Sequence, residues 1–390
     1  MANNNSKPRL WSRSFILIAI ASTGVSFATY FFLPTLPVYA QAMTGSGGWA
    51  GAMTGVYSLA SLVSRPMAGY MADRVKRLAL AFAGALVCLI ACILYNFAAA
   101  ITWLLVFRFM HGFGFGMHTT SANAAIIGMV PPERRTEGIG SFGLCMTIAS
   151  AIAPAIALPL AANPETGLLP LSAAAGALLV VSLGSMLPVM QQDHAGEEQA
   201  GQGKDSGGFR RAAEPVAMLL LVACVQGAAV SFLALYALER GFGMIGFFFT
   251  CSAAGMILSR LFAGRICDKR GIRAVMLPSL FVYFLSVLGI AFVSGQTGMI
   301  LLGFPFGLAL GSITPAFNVI ILSRFADNRH GAASALYFAC LDAGIGGGSV
   351  TWGFLAGSIR YRGIFLASAC ICALLCVWYY LSGKNIKRNI

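Results

Sequence analysis

Long apolar runs alternate with short polar connections along the whole chain. Runs at 14–39, 49–71, 78–97, 101–130, 138–161 and 167–189 precede one long polar stretch, and runs at 214–238, 243–266, 274–294, 297–322, 331–357 and 363–382 follow it. Each is close to or above the roughly 20 residues that carry a helix across a bilayer. The two-residue alternation of a membrane barrel strand is missing, and in lipid a helix satisfies its own backbone groups. The pattern predicts an all-α membrane protein with twelve transmembrane helices. They fall into two six-helix bundles, 1–189 and 214–390, joined by a flexible linker over 190–213 that mixes Gly and Gln with Asp193, Glu197, Glu198 and Asp205.

The first run follows Lys7, Arg9 and Arg13 and ends near Val38-Tyr39-Ala40, which resembles a cleavable leader. Its length, with Pro34 and Pro37 inside, exceeds a leader's apolar region, so it reads as a retained helix.

Composition narrows the class. Hydrophobic residues make up 58% of the 390 residues, charged residues 10%, and the mean hydropathy is +0.79. A soluble chain of this make-up could not cover its surface with polar groups, and a disordered chain would lack this much apolar material. The net charge of +13 raises the question of nucleic acid. No basic patch is interleaved with aromatics, so no nucleic-acid partner is expected. The bases mark topology instead. With the N-terminus inside, twenty Lys and Arg fall in cytoplasmic segments and three, Arg240, Arg360 and Arg362, in outer loops. Arg65, Arg108 and Arg260 lie within spans. This bias predicts a multi-pass protein of the cell membrane with both termini cytoplasmic. The ten cysteines lie in or at the end of apolar runs, so no disulfide framework is expected.

The chain repeats itself. Ser64 to Arg74 reads SRPMAGYMADR and Ser259 to Lys269 reads SRLFAGRICDK, at an offset of 195. The same offset relates Gly112 to Gly307, Gly116 to Gly311 and Asn123 to Asn318. Two pseudo-symmetric halves follow, the pattern of a transporter that rocks one half against the other.

At this point the chain resembles the major facilitator superfamily over its whole length. The resemblance rests on Gly69, Asp73, Arg74 and Arg77 after the second run, with Lys76 where the family usually has Gly, and on their copy Gly264, Asp268, Lys269, Gly271 and Arg273. It rests also on Arg108 followed by Gly112, Gly114 and Gly116 in the fourth run. Ala149, Ala153, Pro154 and Ala157 stand where the family's antiporters carry a Gly-Pro motif, with alanines for the glycines. The chain looks most like the twelve-span drug and small-metabolite efflux branch, but its first run has no carboxylate, which many multidrug members carry. The resemblance implies a cytoplasmic gate formed by Gly69, Asp73, Arg74, Arg77, Gly264, Asp268, Lys269 and Arg273. It also implies a central cavity lined by the first, fourth, seventh and tenth spans.

Of thirteen carboxylates only Asp342 falls deep in a span, and no base lies within four residues of it. It is the first candidate for carrying a proton. Arg108, His111, Phe115 and His118 share one helical face. Two roles are open for the three polar members: an anion-binding and proton-transferring stripe, or interior groups that bond neighbouring helices. Tyr30, Gln226, Tyr236, Thr314 and Asn318 are the remaining candidates for the cavity. The glycines Gly344, Gly346, Gly347 and Gly348 predict a bend or close packing beside Asp342. His111 and His118, about 10.5 Å apart along the helix, have no third ligand nearby, so no metal is expected. No P-loop pattern supports ATP as the drive, and no clustered catalytic set supports an enzyme. The reading is a secondary transporter, monomeric and free of cofactors. It exports a small amphipathic compound in exchange for protons by alternating access, with an uptake symporter as the alternative.

Overall fold

A computed structural model describes residues 11–72, 75–130, 135–161, 168–190, 206–325 and 330–386. These form α1 (Arg13–Thr44), α2 (Gly47–Ala72), α3 (Arg77–Leu94), α4 (Ile101–Met129), α5 (Arg135–Ala161), α6 (Leu169–Met186), α7 (Ser206–Glu239), α8 (Gly246–Arg270), α9 (Arg273–Phe292) and α10 (Gln296–Leu322). The stretch His330–Ile386 is helical on both sides of Arg360, whose backbone at φ 59 and ψ 169 breaks it. Its two arms are α11 (330–359) and α12 (361–386). Twelve helices result, and no strand occurs among the described residues.

Local chemistry explains several ends. The Ser12 hydroxyl accepts from Phe15 N at 3.2 Å and caps α1. Gly45 closes that helix with φ 69, a conformation glycine adopts without a Cβ clash. The start of α7 departs furthest from expectation. α7 starts at Ser206 and not at 214, so the last residues of the expected linker are helical. The apolar pattern marks the part of a helix that lipid or core covers, and a helix continues past it where nothing breaks it.

Each half has its own core. In the first, Phe32, Leu36, Tyr95 and Leu104 are buried together; in the second, Phe248, Tyr283, Phe306 and Phe317 are. Side chains such as Phe354, at 80% exposure, and Leu374, at 68%, face outward, as they do where the solvent is lipid.

The repeat is built into the helix crossings. A Cβ on Gly112 of α4 would fall on the Tyr57 carbonyl of α2, and one on Gly307 of α10 would fall on the Ser252 carbonyl of α8. Tyr57 and Ser252 are themselves 195 residues apart. Gly116 against Ser61 and Gly311 against Met256 repeat the relation one turn on. Without a hydrophobic drive between helices in lipid, such backbone approach is what holds a bundle together.

The ends of the molecule differ. One carries Arg13, Lys76, Arg77, Arg210, Lys269, Arg270 and Arg273 and is the basic end. At the far end the halves meet. Gly47 and Gly51 of α2 pack against Ala356, Gly353 and Ser349 of α11. Ser231 Oγ of α7 lies 2.7 Å from Thr54 Oγ1 of α2 and 2.9 Å from Ser349 Oγ. Gly246 of α8 sits on Pro154 and Ala155 of α5, and Thr250 donates to the Ala151 carbonyl at 2.7 Å. Of the expected antiporter motif, Pro154 thus meets α8 beside Ala155, while Ala153 and Ala157 are buried in the first half's own core. Towards the basic end, a Cβ on Gly69 would meet nothing within 4 Å. The close helix contact expected there is absent among the described residues, and Met67 and Tyr70 are exposed.

Candidate functional site

A polar cluster lies where α2 meets α11. Asp342 accepts from Arg65 Nε at 2.7 Å and from Ser61 Oγ at 3.0 Å. Arg65 also donates from Nη1 to Thr119 Oγ1 of α4 at 3.4 Å and lies 5.2 Å from the Phe338 ring centre. The pair is about 15% exposed. The carboxylate expected to stand without a base therefore has one, supplied by the other half of the molecule. Sequence distance hid it, since 277 residues separate the two. It is the only ion pair among the described residues.

The glycines after Asp342 resolve into close packing. Gly344 and Gly348 press on Leu220, Ala223 and Cys224 of α7, and Gly346 presses on Ser58 of α2. Gly347 faces open space. α11 is thus wedged between α7 of its own half and α2 of the other, with Asp342 just before the wedge.

Of the two roles left open for the polar face of α4, the packing matches interior groups that bond neighbouring helices. Arg108, His111 and His118 are fully buried and Phe115 nearly so, all inside the first half. His111 Nε2 lies 3.3 Å from Thr29 Oγ1 and its Nδ1 3.1 Å from the Tyr95 hydroxyl. His118 Nδ1 lies 2.9 Å from the Ala81 carbonyl, so that nitrogen carries a proton, and Nε2 lies 3.0 Å from Ser22 Oγ. Both rings tie α4 to α1 and α3. A helical face shared in sequence does not reveal which neighbour it meets.

Arg108 Nε donates to the Met53 carbonyl at 3.3 Å, and the guanidinium lies 4.3 Å from the Tyr57 ring centre. Nη1 and Nη2 make no hydrogen bond among the described residues, although Tyr95 is close by. Lysine would keep the charge and lose the planar contact and the Nε bond. Arg108→Lys is expected to transport about as poorly as Arg108→Ala, each roughly tenfold or more below wild type, because either change disturbs a buried cation. Initial transport rates at matched expression check this; a fully active lysine variant would reduce Arg108 to simple charge.

The other candidates separate. Tyr236 leaves the expected cavity. It is packed within the second half, donating to the Ala291 carbonyl at 3.2 Å and accepting from Arg240 Nη1 at 3.3 Å. Tyr30 and Thr314 are half-buried where the halves face each other, and Thr314 lies beside Tyr337 of α11. Gln226 is half-buried on α7. Asn318 is half-buried on α10, and its Oδ1 has no partner among the described residues. Of the expected gate, Asp73 and Arg74 lie outside the described residues, as do the side chain of Asp268 and the surroundings of Gly264. Arg77 donates to the Ala124 carbonyl at 3.2 Å and Arg273 to the Tyr380 carbonyl at 3.1 Å, each within its own half. Lys269 is exposed. Arg260 is the residue that sequence reasoning passed over, and the repeat that pairs it with Arg65 was the available signal.

Two repeated helical bundles that face each other around a polar cluster define a transporter of the alternating type. Residues 18–244 and 216–389 match the sequence profile of the Major Facilitator Superfamily, and the chain belongs to it. It is 25% identical to a protein of Lactococcus lactis described as a multi-drug resistance efflux pump PmrA homolog, over 99% of this chain and 98% of that one. It is 24% identical to the staphylopine export protein of Staphylococcus aureus, over 84% of each. In fold it is similar to the nucleoside transporter NupG, with a TM-score of 0.75 at 15% identity over 95% of this chain and 99% of that one. A bacterial homolog of the human lysosomal transporter Spinster, in an inward-facing and unoccupied conformation, gives a TM-score of 0.73 at 15% identity over 99% of both. The protein is a multi-pass membrane transporter of small molecules and not an enzyme.

Proposed function

We propose that this transporter exports small amphipathic compounds from the cytoplasm in exchange for protons, as a monomer in the cell membrane with both termini cytoplasmic. The observation that carries the reading is the Arg65–Asp342 pair, which joins α2 of the first half to α11 of the second by a charge bond. Orientation follows from the Lys and Arg bias, which makes the basic end cytoplasmic. The contacts between the halves at the far end support a path that admits a compound from the cytoplasmic side. The Lactococcus and Staphylococcus relatives, described as an efflux pump and an export protein, support the direction.

The coupling is electrostatic. A proton on Asp342 removes the negative charge that Arg65 pairs with, and the bond between α2 and α11 weakens. Its loss restores the bond. The proton thus binds the two arrangements of the halves unequally, which is what shifts a two-state equilibrium. No cofactor enters this scheme. Inverted membrane vesicles, assayed across a compound panel with and without an imposed pH gradient, test it. Gradient-dependent uptake of at least one compound is expected. Accumulation only in right-side-out vesicles would make the protein an importer, and accumulation indifferent to the gradient would remove the proton.

A further inference from the structure

Arg65 has an ionic partner, a hydrogen bond to Thr119 and an aromatic ring; its repeat mate has none of the three among the described residues. The offset of 195 that relates Arg65 to Arg260 also relates Thr119 to Thr314, Gly143 to Phe338 and Thr147 to Asp342. The α2–α11 contact therefore has a mirror in the α8–α5 contact, and geometry supports the match. Arg65 stacks on Phe338, while a Cβ on Gly143 would lie 3.8 Å from Arg260 Nη1. In the first contact the guanidinium has a carboxylate and an aromatic ring. In the second, Thr147 stands where the carboxylate would be and turns its hydroxyl to the Gly143 carbonyl at 3.1 Å. Glycine stands where the ring would be.

Arg260 is exposed and makes no hydrogen bond, ion pair or ring contact among the described residues. It does not face lipid alone. Gly143 of α5 flanks it from the first half, and Tyr30 of α1 and Tyr337 of α11 lie within reach of its charge. It thus lies between the halves. An unpaired cation at membrane depth is costly and marks a ligand path. A guanidinium fork fits a carboxylate by two parallel bonds.

We infer that Arg260 is the centre of an anion-receiving subsite whose ligand carries a carboxylate next to an aromatic ring, supplying the two groups that Thr147 and Gly143 leave out. The bound compound then does at the α8–α5 contact what Asp342 and Phe338 do at the α2–α11 contact. The two cations between the halves are both neutralised, and the mirror is complete. This deepens the export reading by naming the substrate class, and it rests on that reading for direction only.

The test is binding without any pH gradient, on purified protein in lipid nanodiscs. The probes are benzoate, 1-naphthoate and indole-3-acetate, each beside its methyl ester. The acids should bind at least about tenfold more tightly than their esters, as expected of hydrogen bonds to a charged group. Arg260→Gln should remove the difference, and Arg260→Lys should keep part of it. Thr147→Asp supplies an internal carboxylate and should also remove it. Equal binding of acids and esters by the wild type, binding of neither, or a preference that survives both Arg260→Gln and Thr147→Asp overturns the inference. Should Arg260→Gln fail to fold, Thr147→Asp and the wild-type comparison decide alone. Failure of proton-driven accumulation in vesicles, with the acid preference intact, would sink the coupling and leave the subsite standing.

Discussion

Asp342→Asn is expected to abolish accumulation against a gradient while leaving downhill movement of the compound measurable. Asparagine keeps the shape and can still accept from Ser61, now 3.0 Å away, but it holds no exchangeable charge. Arg65 loses the ionic partner at 2.7 Å that ties α2 to α11. A carrier that cannot take and release a proton still rocks between two states, but it only equilibrates its substrate, so the accumulation ratio should fall to about one. Vesicle uptake with an imposed pH gradient, beside counterflow with none, separates the two activities. Accumulation at the wild-type rate in the variant would move the proton site elsewhere. His111 and His118 are poor substitutes, because both ring nitrogens of each already have partners inside the first half.

Gly307→Val should cost the fold. Any Cβ at that position would fall on the Ser252 carbonyl, which is backbone and cannot swing aside. α10 would have to move off α8 along their crossing, and overpacking of this kind costs about 1–3 kcal/mol even where side chains can yield. Thermal unfolding in detergent should begin roughly 5 °C or more below wild type, if folded protein is recovered at all. Gly347→Ala is the comparison, since nothing lies within 4 Å of its Cβ position, and it should match wild type. Equal stability of the two variants would mean that the crossing is looser than drawn. Gly112→Val, the repeat equivalent against the Tyr57 carbonyl, should behave like Gly307→Val.

The architecture was legible because lipid makes it so. A run of apolar residues must be a helix there, and its length must match the bilayer. The 195-residue offset carried more than a count of helices. It placed Gly112 and Gly307, and those positions proved to be close backbone crossings in the two halves. The site was read less well, for a reason that periodicity cannot repair. On α4 the shared face of Arg108, His111 and His118 is real, yet helical period gives only the relative direction of side chains. Whether that direction points to a cavity or to α1 and α3 depends on the neighbours. Tyr236 failed as a cavity residue for the same cause, turning to the Ala291 carbonyl of α9.

By itself the sequence determined the helical class, the twofold repeat, the family and the single deep carboxylate. These follow from local hydropathy and from spacing within the chain, which no packing can alter. The tertiary structure alone decided that Asp342 faces Arg65 across 277 residues, that the α4 histidines are internal, and that Arg260 has no hydrogen bond or ion pair among the described residues. Charge at membrane depth is expensive, so its meaning is set by what stands within about 4 Å of it. That neighbour is chosen by how two bundles meet, a relation between distant segments that residue order does not contain.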